Sequence, residues 1–156
     1  MPNTLQDEFR NDFIKNAKHQ AWDILCQVAY LEQDCAEKQA EIHKLIAETD
    51  TIDEDIKKLD PELAHGDERK ERQEKIKALN ARKHEITQLL QGNLRQNGVR
   101  ADGKPRIEGT PGLTDMVMVL MQTINDRKTE AQNRLKLAYF AESWTYEPKD
   151  LRTKYL

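Results

Sequence analysis

Residues 14–59, IKNAKHQAWDILCQVAYLEQDCAEKQAEIHKLIAETDTIDEDIKKL, decide the fold that this sequence encodes. Apolar residues recur there every three or four positions, and neither glycine nor proline interrupts the run. With Ala21 taken as an a position of a heptad, the fourteen a and d residues are Ile14, Ala17, Ala21, Ile24, Val28, Leu31, Cys35, Lys38, Ile42, Leu45, Thr49, Ile52, Ile56 and Leu59. Only Lys38 and Thr49 among them are polar. A pattern sustained over more than three heptads is typical of a coiled-coil seam, so the sequence predicts one helix from about residue 4 to residue 60.

A second helix is expected to fold back along the first. The pair Asp60-Pro61 ends the first helix, because proline cannot continue it, and Gly66 marks a tight turn. Asp67 is the expected N-cap of a helix over 67–91. The sequence therefore predicts an antiparallel helical hairpin.

Charges beside the seam agree with this hairpin. The g positions of two antiparallel helices face each other, which predicts that Asp55 pairs with Lys75 and Glu48 with Arg82. Each exposed pair contributes only a few tenths of a kcal/mol, but together the pairs favour one orientation and one register.

Residues 92–112 interrupt the helical pattern with glycine and proline and are expected to form a basic loop. A loop of this length is uncommon in a compact domain and is usually functional or disordered. Its basic residues are Arg95, Arg100, Lys104 and Arg106. These side chains are the candidate nucleic-acid contacts, whereas the alternative interpretation is a solvated linker.

A third helix is expected over 113–143, capped by Thr110 or Thr114 and followed by an irregular tail, 144–156. Its first turns, 116–121, are apolar on every side, which requires burial on more than one side. The helix is long enough to cover the N-terminal half of the first. The predicted fold is all-α: one elongated helical bundle and a single domain, 1–156, in which a long helix pairs with an antiparallel coiled-coil partner and a third helix.

Composition favours helices and gives no global attraction to nucleic acid. Charged residues make up 34% of the chain and aromatic residues 6%, as in long helices. Residues 1–60 carry 14 acidic and 7 basic side chains, and residues 61–156 carry 14 and 18. The net charge of −3 is nearly neutral and negative, so it gives no overall attraction to nucleic acid or to an anionic membrane.

Motifs for enzyme chemistry are missing from the sequence. The one Glu-x-x-His, at Glu62 and His65, straddles the expected turn, whereas a di-iron bundle needs two such pairs facing inward. Ser143 is the only serine, and it lies outside any nucleophile motif. Cys26 and Cys35 lie too far apart along one helix for a disulfide. We therefore expect no catalytic residues, no metal and no cofactor.

The sequence instead predicts function through helix surfaces. A bundle with two helices side by side leaves apolar side chains in water, so we expect a homo-oligomer, preferably a dimer that completes a four-helix bundle, and other proteins bound through helix faces. The predicted association surface consists of Phe9, Phe13, Trp22, Met116, Val117, Leu120, Met121, Phe140 and Trp144. This indicates a structural or adaptor protein in a larger assembly; the alternative is a nucleic-acid-associated regulator using 93–106. No stretch reaches the ~20 apolar residues of a membrane span, so a cytoplasmic location and no membrane partner are expected.

Overall fold

The structure is a computed structural model that describes residues 4–143. Its elements are helix α1 (Thr4–Lys58), a single 3₁₀ turn (Pro61–Leu63), helix α2 (Asp67–Gln91), strands β1 (Arg95–Val99) and β2 (Pro105–Glu108), and helix α3 (Leu113–Glu142). The predicted all-α fold class is confirmed, with one small two-stranded sheet added to it.

The seam predicted from the heptad pattern is the shielded side of α1. All fourteen a and d side chains are buried or half-buried, including the polar Lys38 and Thr49, whereas most other side chains of the helix are exposed. The hydroxyl of Thr49 donates to the carbonyl of Leu45 at 3.0 Å, so a polar group on the seam is satisfied within its own helix. The position of the apolar residues therefore decides which side of α1 receives other helices.

The junction between α1 and α2 is held by polar contacts of Asp60. Its carboxylate accepts a hydrogen bond from the backbone N–H of Glu62, and its carbonyl accepts one from the Arg72 side chain, both at 3.0 Å. The expectation that Asp67 caps α2 is wrong, because Gly66 occupies the cap position and makes no side-chain bond. A φ of 65° at this turn favours glycine over any residue with a Cβ atom.

The described residues group into two compact units. Unit 1 contains residues up to 32 together with those from 122 onward, and unit 2 contains residues 33–121. The expectation of one single domain stays a prediction, and each unit is described by itself.

Unit 2 contains the antiparallel pairing of α1 with α2. Its buried cluster joins Leu45 and Ile52 of α1 to Ile86 of α2, which is 1% exposed. Half-buried apolar residues surround this cluster: Ile56, Leu79, Leu90 and Leu113. Leu113 is the first residue of α3, so the start of the third helix is packed into the same core.

Of the two ion pairs predicted beside the α1–α2 contact, one is confirmed and the other is replaced by a different pair. Arg82 donates two hydrogen bonds to Glu48, at 2.7 and 3.1 Å, as the heptad pattern predicts. Within the described part of the chain Asp55 makes no ion pair with a lysine or arginine; instead Lys83 reaches Asp53 at 2.6 Å. Lys83 lies among the apolar positions of α2, and its long stem lets the ammonium group leave the seam for a carboxylate.

Residues 92–112 form a β-hairpin rather than an irregular loop. The strands pair antiparallel with Arg95 opposite Glu108 and Gln96 opposite Ile107, and a bulge in β1 precedes Val99. Sequence patterns do not predict these strands, because β1, RQNGV, contains only one residue with high strand propensity.

The base of the hairpin is closely packed against the neighbouring backbone. The N–H of Asn93 donates to the carbonyl of Thr110 at 3.0 Å, and the N–H of Thr110 donates to the Asn93 side chain at 2.6 Å. A Cβ atom on Gly92 would lie 2.3 Å from the backbone nitrogen of Gly112, so only glycine fits there. Neither Thr110 nor Thr114 caps α3 as expected: the hydroxyl of Thr114 donates to the Leu90 carbonyl.

Candidate association surface

Unit 1 is a pair of antiparallel helix segments whose core consists mainly of small side chains. The buried cluster contains Ala21, Ile24, Val28 and Ala131, with Ile124 and Leu135 half-buried beside it. Ala138 and Ala141 of α3 are completely buried. Alanine at the contact allows two helices to approach closely, but it leaves little room for large side chains between them. The described aromatic residues of unit 1 lie outside this core, because all of them are exposed: Phe9, Phe13, Trp22, Tyr30, Tyr139 and Phe140.

One side of this helix pair is closed by ion pairs, and we call it the ion-pair face. Lys18 of α1 contacts Glu142 of α3 at 2.8 Å, and Glu32 contacts Lys128 at 2.7 Å. The two contacts are fourteen residues apart on each helix, which is four turns, so they lie on the same side. Hydrogen bonding to Glu142 raises the pKa of Lys18 above its usual value.

The opposite side carries phenylalanines, and we call it the aromatic face. Its position follows from the hydrogen bond that Arg134 of α3 donates to Gln20 of α1 at 2.6 Å. Phe13 lies seven residues before Gln20, and Leu137 lies three residues after Arg134, so both share the side of that contact. Phe9 precedes Phe13 by one turn.

Exposure of the aromatic face is high for side chains of this size. The aromatic face comprises Leu5 (76% exposed), Phe9 (61%), Phe13 (37%), Leu137 (50%) and Phe140 (55%). Single apolar residues are common on protein surfaces, whereas a contiguous group of large ones marks an interaction site. Unit 1 thus buries alanine, isoleucine and valine and leaves phenylalanine exposed.

The structure places the described residues of the predicted association surface on the aromatic face, on the ion-pair face and in unit 2. Phe9 and Phe13 belong to the aromatic face on α1, and the three-residue spacing of Phe140 to Leu137 assigns Phe140 to this face on α3. Trp22, which is 65% exposed, lies one turn after Lys18 and therefore on the ion-pair face. Trp144 lies outside the described residues. Leu5 and Leu137 belong to the aromatic face without having been predicted, although Leu5 has the same four-residue spacing to Phe9 as Phe9 has to Phe13.

The predicted residues 116–121 belong to unit 2. Val117 is buried at 8% exposure, so it is part of the core and not of a surface. Met116 and Leu120 are half-buried and line an open groove of about 410 Å³, together with Leu94, Pro111, Val119, Asp34, Lys38 and Asp115. Met121 is 54% exposed.

Polar contacts at the groove are local. Lys38 contacts Asp34 one helical turn away at 2.6 Å, and this hydrogen bond raises the pKa of Lys38. Elsewhere in unit 2, hydrogen bonds from Arg82 lower the pKa of Glu48, and Glu48 in turn raises the pKa of Arg82. These shifts come from ordinary ion pairs at the surface, and none marks a poised acid or base.

The four basic residues proposed to contact nucleic acid are all exposed on the β-hairpin. Arg95 starts β1 and Arg106 lies in β2, whereas Arg100 and Lys104 flank the turn. Arg100 contacts Asp102 at 2.6 Å, which reduces its availability for phosphate. Glu108, two residues after Arg106, lies on the same face of the hairpin as that arginine.

Metal-binding clusters and membrane-spanning helices are both absent from residues 4–143. No group of three or more His, Cys, Asp and Glu side chains among these described residues is arranged to hold a metal ion. None of the helices in this part of the chain combines the length and the apolar character that crossing a bilayer requires.

Comparison with known proteins gives no relative: the chain matches no protein-family model, no curated protein and no solved structure.

Proposed function

We propose that this chain is a non-enzymatic structural or adaptor protein that works by self-association and by binding partner helices in a larger assembly. The observation that carries the proposal is the exposure of large aromatic side chains in unit 1. The small side chains of Ala138 and Ala141 are buried, whereas Phe9 and Phe140 are more than half exposed. Burying such side chains against another protein is the largest free-energy gain open to this surface.

The preferred partner at the aromatic face is a second copy of the chain. Two antiparallel helix pairs that pack face to face form a four-helix bundle, and a two-fold axis brings identical faces together. The ion-pair face is less suited to this contact, because the ion pairs of Lys18 and Glu32 would lose water on burial. The dimer therefore has phenylalanine at its centre and the ion pairs outside.

Subunit exchange measured by energy transfer tests this proposal. Cys26 is the exposed cysteine and Cys35 is buried, so a brief reaction labels Cys26, which lies one turn after Trp22 and away from the aromatic face. Chains labelled with a donor and chains labelled with an acceptor should transfer energy after mixing. Unlabelled wild-type chain should compete strongly, and unlabelled Phe9→Ala chain should compete much more weakly. No transfer at any concentration, or equal competition by both chains, would overturn the proposal.

The alternative function, a nucleic-acid-associated regulator using residues 93–106, is supported by the exposure of four basic side chains on one small hairpin. Its acidic residues, Asp102 and Glu108, leave the hairpin a net charge of +2. This function predicts binding that weakens steeply with salt and is lost when the four basic residues are replaced by alanine. Filter binding with single- and double-stranded oligonucleotides measures it.

A cytoplasmic location remains part of the main proposal. Fractionation of the native cell, followed by detection of the chain in each fraction, tests it directly. Recovery in the membrane fraction would contradict it.

A further inference from the structure

The β-hairpin of unit 2 presents an edge that is complementary to itself. A two-stranded sheet with both faces in water is marginal, and all five residues of β1 and three of the four in β2 are exposed. An open edge of such a strand has unpaired backbone groups that can hydrogen-bond to another strand.

The two edges of the hairpin are not equivalent. Strand β1 contains the bulge between Gln96 and Val99, which breaks the regular spacing of its backbone groups. Strand β2 is regular from Pro105 to Glu108. The edge available for strand pairing is therefore that of β2.

The hydrogen bonds inside the hairpin determine which groups of β2 point outward. The backbone N–H of Asn93 donates to the carbonyl of Thr110, and the backbone N–H of Arg100 donates to the carbonyl of Lys104 at 2.7 Å. Because antiparallel strands alternate between pairs that exchange hydrogen bonds and pairs that do not, the backbone groups of Ile107 point away from β1. Those of Pro105 do the same, because Pro105 lies opposite Val99, next to the hydrogen-bonded Arg100 and Lys104. The missing N–H of Pro105 thus lies on the outer edge, where it leaves the hairpin's own hydrogen bonds intact.

We propose that the β2 edge pairs antiparallel with the β2 edge of a second copy of this chain, about a two-fold axis that passes beside Ile107. In this register the two Ile107 residues exchange backbone hydrogen bonds. Pro105 lies at the outer end of this register, where its carbonyl can accept a hydrogen bond and its missing N–H breaks no bond inside the hairpin.

Charge complementarity selects the second copy as the occupant. The register places Arg106 of each copy opposite Glu108 of the other, at positions where side chains of antiparallel strands approach most closely. Arg106 has no carboxylate partner among the described residues, and Glu108 accepts one hydrogen bond, from Asn97 at 2.8 Å. When two copies of the segment Arg106-Ile107-Glu108 pair antiparallel, the arginine of each copy lies opposite the glutamate of the other.

The other face of the paired hairpins gains apolar contact. Ile107 is 57% exposed and Val99 is 62% exposed, and both lie on the face away from Arg106. Pairing brings the two Ile107 side chains side by side at the centre of a four-stranded sheet. This interface is separate from the aromatic face and does not depend on it.

Exchange of charges between two variants tests the pairing in the full-length chain. Arg106→Glu alone and Glu108→Arg alone each place like charges opposite one another, so each variant should lose self-pairing. A mixture of the two variants should pair again, because the introduced glutamate of one variant then faces the introduced arginine of the other. Failure of the mixture to pair would overturn the proposal, as would retained self-pairing of both variants.

Cysteine cross-linking provides the geometric test, in a background with Cys26→Ser and Cys35→Ala. Directly opposite residues of a hydrogen-bonded antiparallel pair have Cα atoms about 5.5 Å apart, within reach of a disulfide. Ile107→Cys should therefore give a disulfide-linked dimer under mild oxidation. Val99→Cys is a matched control with similar exposure on the same face, but it lies one strand further from the axis in each copy and should give no disulfide-linked dimer. Equal cross-linking of the two variants would refute the register.

These variants also separate this inference from the proposed function. Phe9→Ala should leave Ile107→Cys cross-linking intact, whereas the hairpin variants should leave the aromatic face able to form dimers. A chain with two different two-fold interfaces assembles beyond the dimer. Loss of all association in Phe9→Ala, including the Ile107 cross-link, would show that the hairpin edge does not pair by itself.

Discussion

Replacing Phe9 by alanine should weaken self-association strongly while leaving the fold of the single chain unchanged. A phenylalanine side chain has roughly 200 Å² of surface, and 61% exposure leaves about 120 Å² of Phe9 in water. Alanine removes about 80 Å² of this, worth about 2 kcal/mol per chain at about 25 cal/mol per Å² if the dimer covers it fully. Two chains contribute about 4 kcal/mol, which raises the dissociation constant of the aromatic-face dimer roughly a thousandfold.

Sedimentation equilibrium over a wide concentration range measures this change. Trp22→Ala is the matched control, because Trp22 is 65% exposed on the same helix but lies on the ion-pair face. The control should change the dissociation constant by less than tenfold, about 1.4 kcal/mol. Thermal unfolding of both variants at a concentration where the chain is monomeric should match the wild type, because neither side chain is buried in the monomer. Equal weakening by both variants would refute the assignment of the interface to the aromatic face.

Three further predictions concern the cores and the charges of the two units. Ile86→Ala should destabilise unit 2 by about 2–5 kcal/mol in urea unfolding, because the side chain is fully enclosed; Ile46→Ala, at an exposed position of α1, should have a far smaller effect. Ala138→Leu should destabilise unit 1 by about 1–3 kcal/mol through overpacking, seen as a lower melting temperature by circular dichroism; a neutral result would mean that the alanine core is loosely packed. Hydrogen bonds from Arg82 lower the pKa of Glu48 in the folded chain. The ionised Glu48 therefore stabilises the fold above the ordinary carboxyl pKa, and this contribution is lost as the pH falls through the lowered pKa of the folded chain. Glu48→Gln should flatten the acid side of the stability–pH profile, and an unchanged slope would contradict this.

The fold could be predicted from the sequence where one physical rule dominates. The heptad spacing from Ile14 to Leu59 needs only the helical period and the avoidance of apolar surface in water, and all fourteen seam residues are shielded. Glycine and proline mark where the helices end. Glu48 and Arg82 pair as predicted because helix geometry places both beside the seam.

Features that depend on tertiary contacts could not be predicted. The β-hairpin arises from backbone pairing anchored at Asn93 and Thr110, and its strand sequences carry little propensity. The same limit applies to the association surface. A list of aromatic residues does not reveal that Phe13 and Trp22 lie on opposite faces of the α1–α3 pair, because that depends on which side of α1 meets Arg134.

The molar mass of the unmodified chain in solution tests the central claim most directly. Light scattering coupled to size exclusion, at micromolar concentration and moderate salt, should give at least twice the chain mass of 18.2 kDa. The mass should fall towards that of one chain on dilution. A constant mass of 18.2 kDa up to the highest soluble concentration would contradict the account, because the phenylalanines of the aromatic face would then remain in water.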